Sequence, residues 1–189
     1  DGVDDYVSVG VSGLSAMKQT GSISSWIKVD TVSAFANVFQ TRVDSNNLIY
    51  LAYNAGTDKG VVNYKVGGTA HNAEFSDSIE NDGKWHHVAA TWDSSSANQV
   101  KIYLDGTLKA TTTLTGSITG SFTAASIGNN TAGGGYWLGN IDELVLFNKT
   151  LSQSEITSLY NDGVPFNPEP ISNMIGYWKM GDGDLVGNS

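Results

Sequence analysis

K-W-H-H-V-A-A-T-W-D-S-S-S-A-N-Q-V-K-I-Y-L-D-G-T-L-K-A, residues 84–110, decides the fold. Three strand-like runs follow one another in it. Trp85 to Trp92 has six of eight residues aromatic, imidazole or β-branched, Gln99 to Leu104 comes next, and Leu108 to Leu114 returns after Asp105-Gly106. Such side chains suit a pleated, half-buried surface, and Asp-Gly supplies the positive φ of a tight reversal. Burying the two tryptophans is worth roughly 1.5–3 kcal/mol each or more in apolar area. A strict two-residue loop would set Ile102 opposite Lys109. An odd-numbered loop lines Val100, Ile102 and Leu104 up with Leu108 and Ala110. A one-residue slip flips every side chain, so the apolar pattern predicts a three-residue or bulged turn.

W-H-H-V-A, T-W-D and V-K-I-Y-L-D-G resemble the central hairpin of laminin-G-like jelly-roll domains, within the concanavalin A-like lectin and glucanase superfamily. D-G-V-D-D-Y-V at Asp1 to Val7 and G-N-I-D-E-L-V-L-F-N-K-T-L-S-Q-S-E-I at Gly139 to Ile156 agree with it, in the family's order. The resemblance implies an all-β, antiparallel two-sheet β-sandwich of jelly-roll type. It also implies a recognition role at a cell surface.

The composition fits. With 189 residues the chain can bury a sizeable core as one sandwich, and 22 glycines against 3 prolines suit many short strands joined by turns. The net charge of −9, with ten scattered basic residues, argues against nucleic acid. Cysteine is absent, so there is no disulfide or thiolate site. No apolar run reaches the ~20 residues that cross a bilayer, which argues against membrane insertion.

Along the chain, strands are expected at Tyr6 to Val11, Ser22 to Val29, Val38 to Val43, Asn47 to Tyr53, Gly60 to Val66, Ala125 to Gly128 and Ile141 to Phe147. Gly67 to Asn72 reads as turn, and the last strand as central and covered on both faces. One helix is signed near residues 152–162. Ser152 and Glu155 make a capping box, Ile156, Leu159 and Tyr160 an apolar face, and Gly163 and Pro165 the stop. Such a helix is expected to plug an open end of the sandwich. The division expected is a domain over 1–166, a linker over 167–174 and a strand-like tail over 175–189. The tail's I-G-Y-W-K-M-G-D-G-D resembles the opening strand of a further laminin-G-like repeat, as found in marine bacteriophage structural proteins. The chain is therefore expected to be part of something longer. Ile175 to Met180 is expected to fill the opening-strand slot, in its own domain or a neighbour's, which otherwise leaves a sheet edge unpaired.

Catalysis is weighed first. A retaining glycosidase needs two carboxylates about 5–5.5 Å apart on one side of a cleft. Asp142 and Glu143 are adjacent, so alternation should send them to opposite faces, Asp142 with Leu144 and Leu146. The chain is thus read as no enzyme. His86 and His87 cannot chelate one ion from one face and read as structural, with His71 in a distant loop. The resemblance implies a calcium ion held by Asp142 with Asp1 or Asp5, against the simpler reading that Asp142 accepts backbone N–H groups. For a glycan, the aromatic and polar candidates are Arg42, Tyr50 or Tyr53 (an odd number apart, so only one faces solvent), Tyr64, Asn129, Asn130, Tyr136 and Trp137, with the Asn129–Tyr136 loop the best local choice. The expected partners are a cell-surface glycan or protein, and neighbouring subunits or repeats. The expected location is extracellular or on a virion surface. A purely structural assembly module is the rival reading.

Overall fold

The computed structural model describes residues 5–30, 35–54 and 56–180. Twelve strands form two six-stranded antiparallel sheets. Sheet one runs in the order β1 (Val7–Val9), β10 (Ala124–Ile127), β3 (Phe35–Asp44), β4 (Asn47–Asn54), β5 (Lys59–Val66) and β6 (Thr69–Phe75). Sheet two runs β12 (Met174–Trp178), β11 (Gly139–Phe147), β2 (Thr20–Val29), β7 (His86–Asp93), β8 (Gln99–Leu104) and β9 (Thr107–Thr113). The jelly-roll sandwich expected from the sequence is what is found. β6 is the strand missed: T-A-H-N-A-E-F alternates, but its small residues give little apolar signal. His71 therefore sits on β6, buried, rather than in a loop.

Alternation builds the core. Ile23, Ile27 and Val29 of β2, Val88, Ala90 and Trp92 of β7, and Val100, Ile102 and Leu104 of β8 all enter one cluster, facing Phe39, Ile49, Leu51, Val62 and Tyr64 of sheet one. Polar tips are used within it. The Trp92 indole N–H donates to the Met17 carbonyl at 2.6 Å, pinning the short 3-10 turn Leu14–Met17 under the sheets. Trp85, by contrast, stays 43% exposed at the entry to β7, so only Trp92 delivers the burial expected of the pair.

The hairpin slips as the apolar pattern requires, but in the strand. Asp105 (φ 48) and Gly106 (φ 72) make a two-residue turn with Leu104 opposite Thr107. A bulge then lets Ile102 meet Ala110 and leaves Lys109 unpaired in the ladder. Leu108, opposite Tyr103, remains exposed. The core thus sets the register at Ile102, while Asp-Gly keeps its own favoured geometry.

The capping box forms as read, with Ser152 and Glu155 bonding each other's backbone at the start of α1 (Gln153–Tyr160). Asn161, in the left-handed conformation, ends the helix before Gly163 is reached. The helix does not plug an open end. Ile156 and Leu159 pack with Leu151 and Ile171 on Ala89, Tyr103, Val145 and Phe147, which are the outward residues of sheet two. That also explains why β11 is apolar on both faces: Leu144 and Leu146 enter the inter-sheet core, and Val145 and Phe147 meet the helix cluster. Ile171 is anchored within the stretch 167–174. β12 then pairs with β11, Leu144 with Trp178 and Val145 with Tyr177, so the edge slot is filled from the same chain.

Candidate recognition surface

The outward face of sheet one carries no helix among the described residues, although Ser126, Gln40 and Asn63 on it are buried. Inward residues on its strands are apolar, so their neighbours point out, and the register aligns them. Ser8 pairs with Ser126, Ser126 with Gln40, Gln40 with Tyr50, Tyr50 with Asn63 and Asn63 with Asn72. One row of hydroxyl, amide and aromatic side chains therefore crosses all six strands, a span of about 24 Å at ~4.8 Å per strand. Ala124, Arg42, Leu48 and Lys65 form the next row on one side, and Asn37, Ala52, Val61 and Glu74 lie on the other. The Phe35 ring meets Tyr50 edge-on at 5.3 Å. Burial, then the charge of Glu74, raises the Tyr50 phenol above its ordinary pKa, so it stays a neutral donor.

The Asn129–Tyr136 loop rises at the β10 end of this row and is held by its own bonds. Asn130 N–H donates to the Gly134 carbonyl at 2.8 Å, and Ala132 N–H to Asn130 Oδ1 at 2.9 Å. Gln40 Oε1 accepts from both the backbone N–H (2.9 Å) and the hydroxyl (2.6 Å) of Thr131, tying loop to row. Asn37 N–H donates to the Gly135 carbonyl at 2.9 Å. A cavity of about 240 Å³ lies here, walled by Tyr6, Ser8, Ser126, Asn129, Asn130, Thr131 and Tyr136. Tyr6, 56% exposed, and Tyr136 stand 6.5 Å apart with rings tilted by 49°. The amide oxygens of Asn37, Asn63 and Asn129 are buried without a hydrogen-bond partner. His87 Nδ1, under the helix on sheet two, and Asn148 Oδ1 are likewise without a partner, so such atoms do not mark one face alone.

The residues singled out from sequence divide sharply. Asn129, Asn130 and Tyr136 share the cavity, and Arg42 lies on the row beside it without an ion pair among the described residues. Tyr53 and Tyr64 do not face a ligand: both are 0% exposed in the core. The Tyr53 hydroxyl bonds Asp58, and the Tyr64 hydroxyl donates to the Lys18 carbonyl at 2.7 Å and accepts from Ile118 N–H at 2.9 Å. Trp137 is 5% exposed, its indole N–H spent on the Asn140 carbonyl at 3.2 Å. Of the pair Tyr50 and Tyr53 it is Tyr50 that faces outward, and Tyr6, Gln40 and Asn63 were missed. Register is the signal that finds them: Gln40, Tyr50 and Asn63 take the polar turn of the alternation on successive strands.

Asp142 and Glu143 depart from regular alternation. Glu143 is left-handed (φ 49), and the bulge it creates sets Asp142 opposite Trp26 and Val145 opposite Ser24. Asp142 is therefore on the outward side of sheet two, not on that of Leu144 and Leu146. Glu143 also lies outward, beside Ser24, His87 and Val145. The two acids share a side, so the face argument against a carboxylate pair does not hold here. They open on different spaces and hold different partners. Asp142 Oδ1 accepts the N–H groups of Glu143 (2.7 Å) and Met180 (2.9 Å), and Glu143 takes the Tyr177 hydroxyl.

Asp1 lies outside the described residues. Asp5 lines a cavity of about 590 Å³ with Asp30 and Asn140, whereas Asp142 lines another, of about 400 Å³. Asp5 and Asp30 thus share a space with Asn140, which lines that of Asp142 as well, and among the described residues no three acidic or imidazole side chains gather as a metal site. Gly139, at φ 124, shapes this corner. A Cβ there would come within 2.1 Å of the Lys28 carbonyl, so only glycine fits.

The histidines play structural parts. His86 Nδ1 is 2.8 Å from Asp105 and Nε2 is 2.9 Å from Asp82, an arrangement satisfied by a doubly protonated ring. The bond to Asp105 leads in raising its pKa against the opposing effect of burial. His87 points the other way, 2.7 Å from Ser24 Oγ, and complete burial pushes it down to about 4.

A laminin G family model, described as concanavalin A-like lectin/glucanases superfamily, matches residues 1–157. The chain belongs to this superfamily. No curated protein sequence matches it. Among solved structures, this superfamily member is similar to a Bacteroides ovatus protein described as carbohydrate-binding (TM-score 0.73, 18% identity, covering 97% of this chain and 51% of that one). It is similar to the CBM40 of a Ruminococcus gnavus IT-sialidase bound to α2,3 sialyllactose (0.66, 13%, 85% and 95%). It is also similar to the binding domain of botulinum neurotoxin DC in complex with rat synaptotagmin II (0.62, 19%, 83% and 39%). The chain thus spans about half or less of the first and third of these. Identities this low carry the fold alone.

Proposed function

We infer that this chain is a non-catalytic recognition module that binds a glycan on the outward face of sheet one, with the Asn129–Tyr136 loop closing one end. The observation that supports it is the polar row from Ser8 to Asn72, exposed at its two ends and buried at Ser126, Gln40 and Asn63, running into the Tyr6–Tyr136 cavity. Hydroxyl and amide groups at strand spacing match a polyhydroxylated ligand, and tyrosine rings offer faces to its C–H surfaces. A face this polar favours a glycan over a protein as the ligand class, and structures of the same fold are described in complex with sialyllactose and with synaptotagmin II. The location proposed is extracellular or on a virion surface. No described helix is long and apolar enough to cross a membrane.

A glycan array, followed by calorimetry on the best ligand, tests the reading. Binding that is lost in Tyr136→Ala or Asn72→Ala supports it. Silence on the array, together with concentration-dependent self-association through the same face, would favour an assembly module instead. Calcium is proposed as a structural ion beside Asp5, Asp30 and Asn140. A native-state ligand must raise the melting temperature, so a midpoint unchanged by chelator removes it.

A further inference from the structure

The cavity at Asp142 lies on the opposite side of the sandwich from the row, and Asn140 and Met180 line both it and the space of Asp5 and Asp30. Its volume is about 400 Å³, and Trp26, Trp85, Asn140, Asp142, Pro165 and Met180 line it. The walls are mostly apolar, and two of them are indoles. Trp26 is 96% buried and held rigidly, stacked at 6.0 Å on Tyr160 of α1 and 5.5 Å from the His87 ring. Its indole N–H has no hydrogen-bond partner among the described residues. Trp85 at the mouth is 43% exposed, an isolated large apolar surface that no core contact explains.

The one charged wall is negative. Asp142 Oδ1 is saturated by the two backbone N–H groups, which fixes the carboxylate in place. Oδ2 makes no hydrogen bond among the described residues, and no basic side chain lines the cavity. Lys28 stands beside Trp26 on the same face, opposite Asn140, but makes no ion pair with Asp142. A fixed carboxylate in a cavity walled by two tryptophans attracts a cation through its charge, and an indole face turned to the cation adds to it. The net charge of −9 adds to that field.

We propose that this cavity binds an organic ammonium group, with Asp142 as its counter-ion and Trp85 as its aromatic lid. The size admits a trimethylammonium head, and the apolar walls favour it over a strongly hydrated metal ion. The site is independent of the glycan surface, so either can fail without the other.

The test titrates the whole chain, in chelator so that no divalent ion competes, with tetramethylammonium and with neopentyl alcohol, which has a similar shape without the charge. Indole N–H resonances report the outcome. Those of Trp85 and Trp26 should shift, with the cation roughly fivefold or more tighter than the alcohol. Asp142→Asn keeps an oxygen for both N–H donors. It should bring the cation down to the alcohol's affinity, while Trp85→Ala weakens both. Choline and an acetylated trimethyl-lysine amide then separate a free small molecule from a partner protein's side chain. Equal affinity for cation and alcohol would overturn the proposal, leaving a plain apolar hole. So would unmoved indoles, or a loss of cation binding that accompanies unfolding of Asp142→Asn but not of a folded Trp85→Ala.

Discussion

The two outward faces of this sandwich are built from similar strands and treated in opposite ways. Sheet two turns Ala89, Tyr103, Val145 and Phe147 outward, and α1 lies over them with Ile156 and Leu159. Sheet one turns Gln40, Tyr50, Asn63 and Asn72 outward and carries no helix. The difference is written in the polar positions of the alternation rather than in the core, which both sheets share. A face covered by its own helix adds stability, and a polar face without one leaves its exposed groups, Ser8 and Asn72 among them, for a partner.

Substitutions should break along that line. Phe147→Ala, on the covered face, should cost about 3–5 kcal/mol, read as a fall in denaturant midpoint. Arg42→Ala should move stability by no more than about 0.5 kcal/mol while weakening glycan binding. If Phe147→Ala were mild, the helix cover would be incidental and the contrast empty.

Acid should act next most strongly, and through the covered face. His87 is fully buried with its pKa depressed from 6.5 to about 4. The unfolded chain takes up a proton below about pH 6.5 and the folded one only near 4. Stability is therefore intact above 6.5 and falls across that window, by on the order of 3 kcal/mol. His86 works the other way. Its folded pKa is raised by Asp105 and Asp82, so its contribution is present below 6.5 and is lost as pH rises through the folded value. Melting against pH should peak near 6.5. Asp105→Asn should flatten the alkaline limb, and His87→Phe, if it folds, the acid one. A curve with both limbs unchanged would contradict these assignments.

A smaller effect sharpens the role of the helix. Ser152→Ala removes the cap and should cost about 1 kcal/mol, without touching glycan affinity. Affinity that fell with it would mean that the two faces are coupled through the sandwich. The smallest effect expected on stability is at the loop. Tyr6→Ala should stay within about 0.5 kcal/mol while reducing glycan affinity roughly tenfold.

Much of the fold was legible because strand periodicity, Asp-Gly and S-x-x-E are local signals with local causes. β6 was not, since T-A-H-N-A-E-F draws its strand character from pairing with β5. Nor was the bulge at Glu143, where a left-handed residue inside an apolar run reverses the face of Asp142. The hairpin satisfied both Asp-Gly and the core by slipping at Lys109, a compromise no single window of sequence contains. The site was legible in its loop and, off it, at Arg42 and at one of the pair Tyr50 and Tyr53. Tyr53 and Tyr64 look like ligand residues by type, but each has a hydroxyl that finds a partner inside, which lets it serve as core. The row from Ser8 to Asn72 comes from six separated segments and exists only once their register is known.

Amide chemical-shift mapping tests the central claim most directly, using the uniformly labelled chain and the best glycan from the array. Shifts should gather on Gln40, Arg42, Tyr50, Asn63 and the Asn129–Tyr136 loop, leaving β7, β8 and α1 still. Shifts gathered on the helix-covered face, or none at saturating glycan, would contradict it.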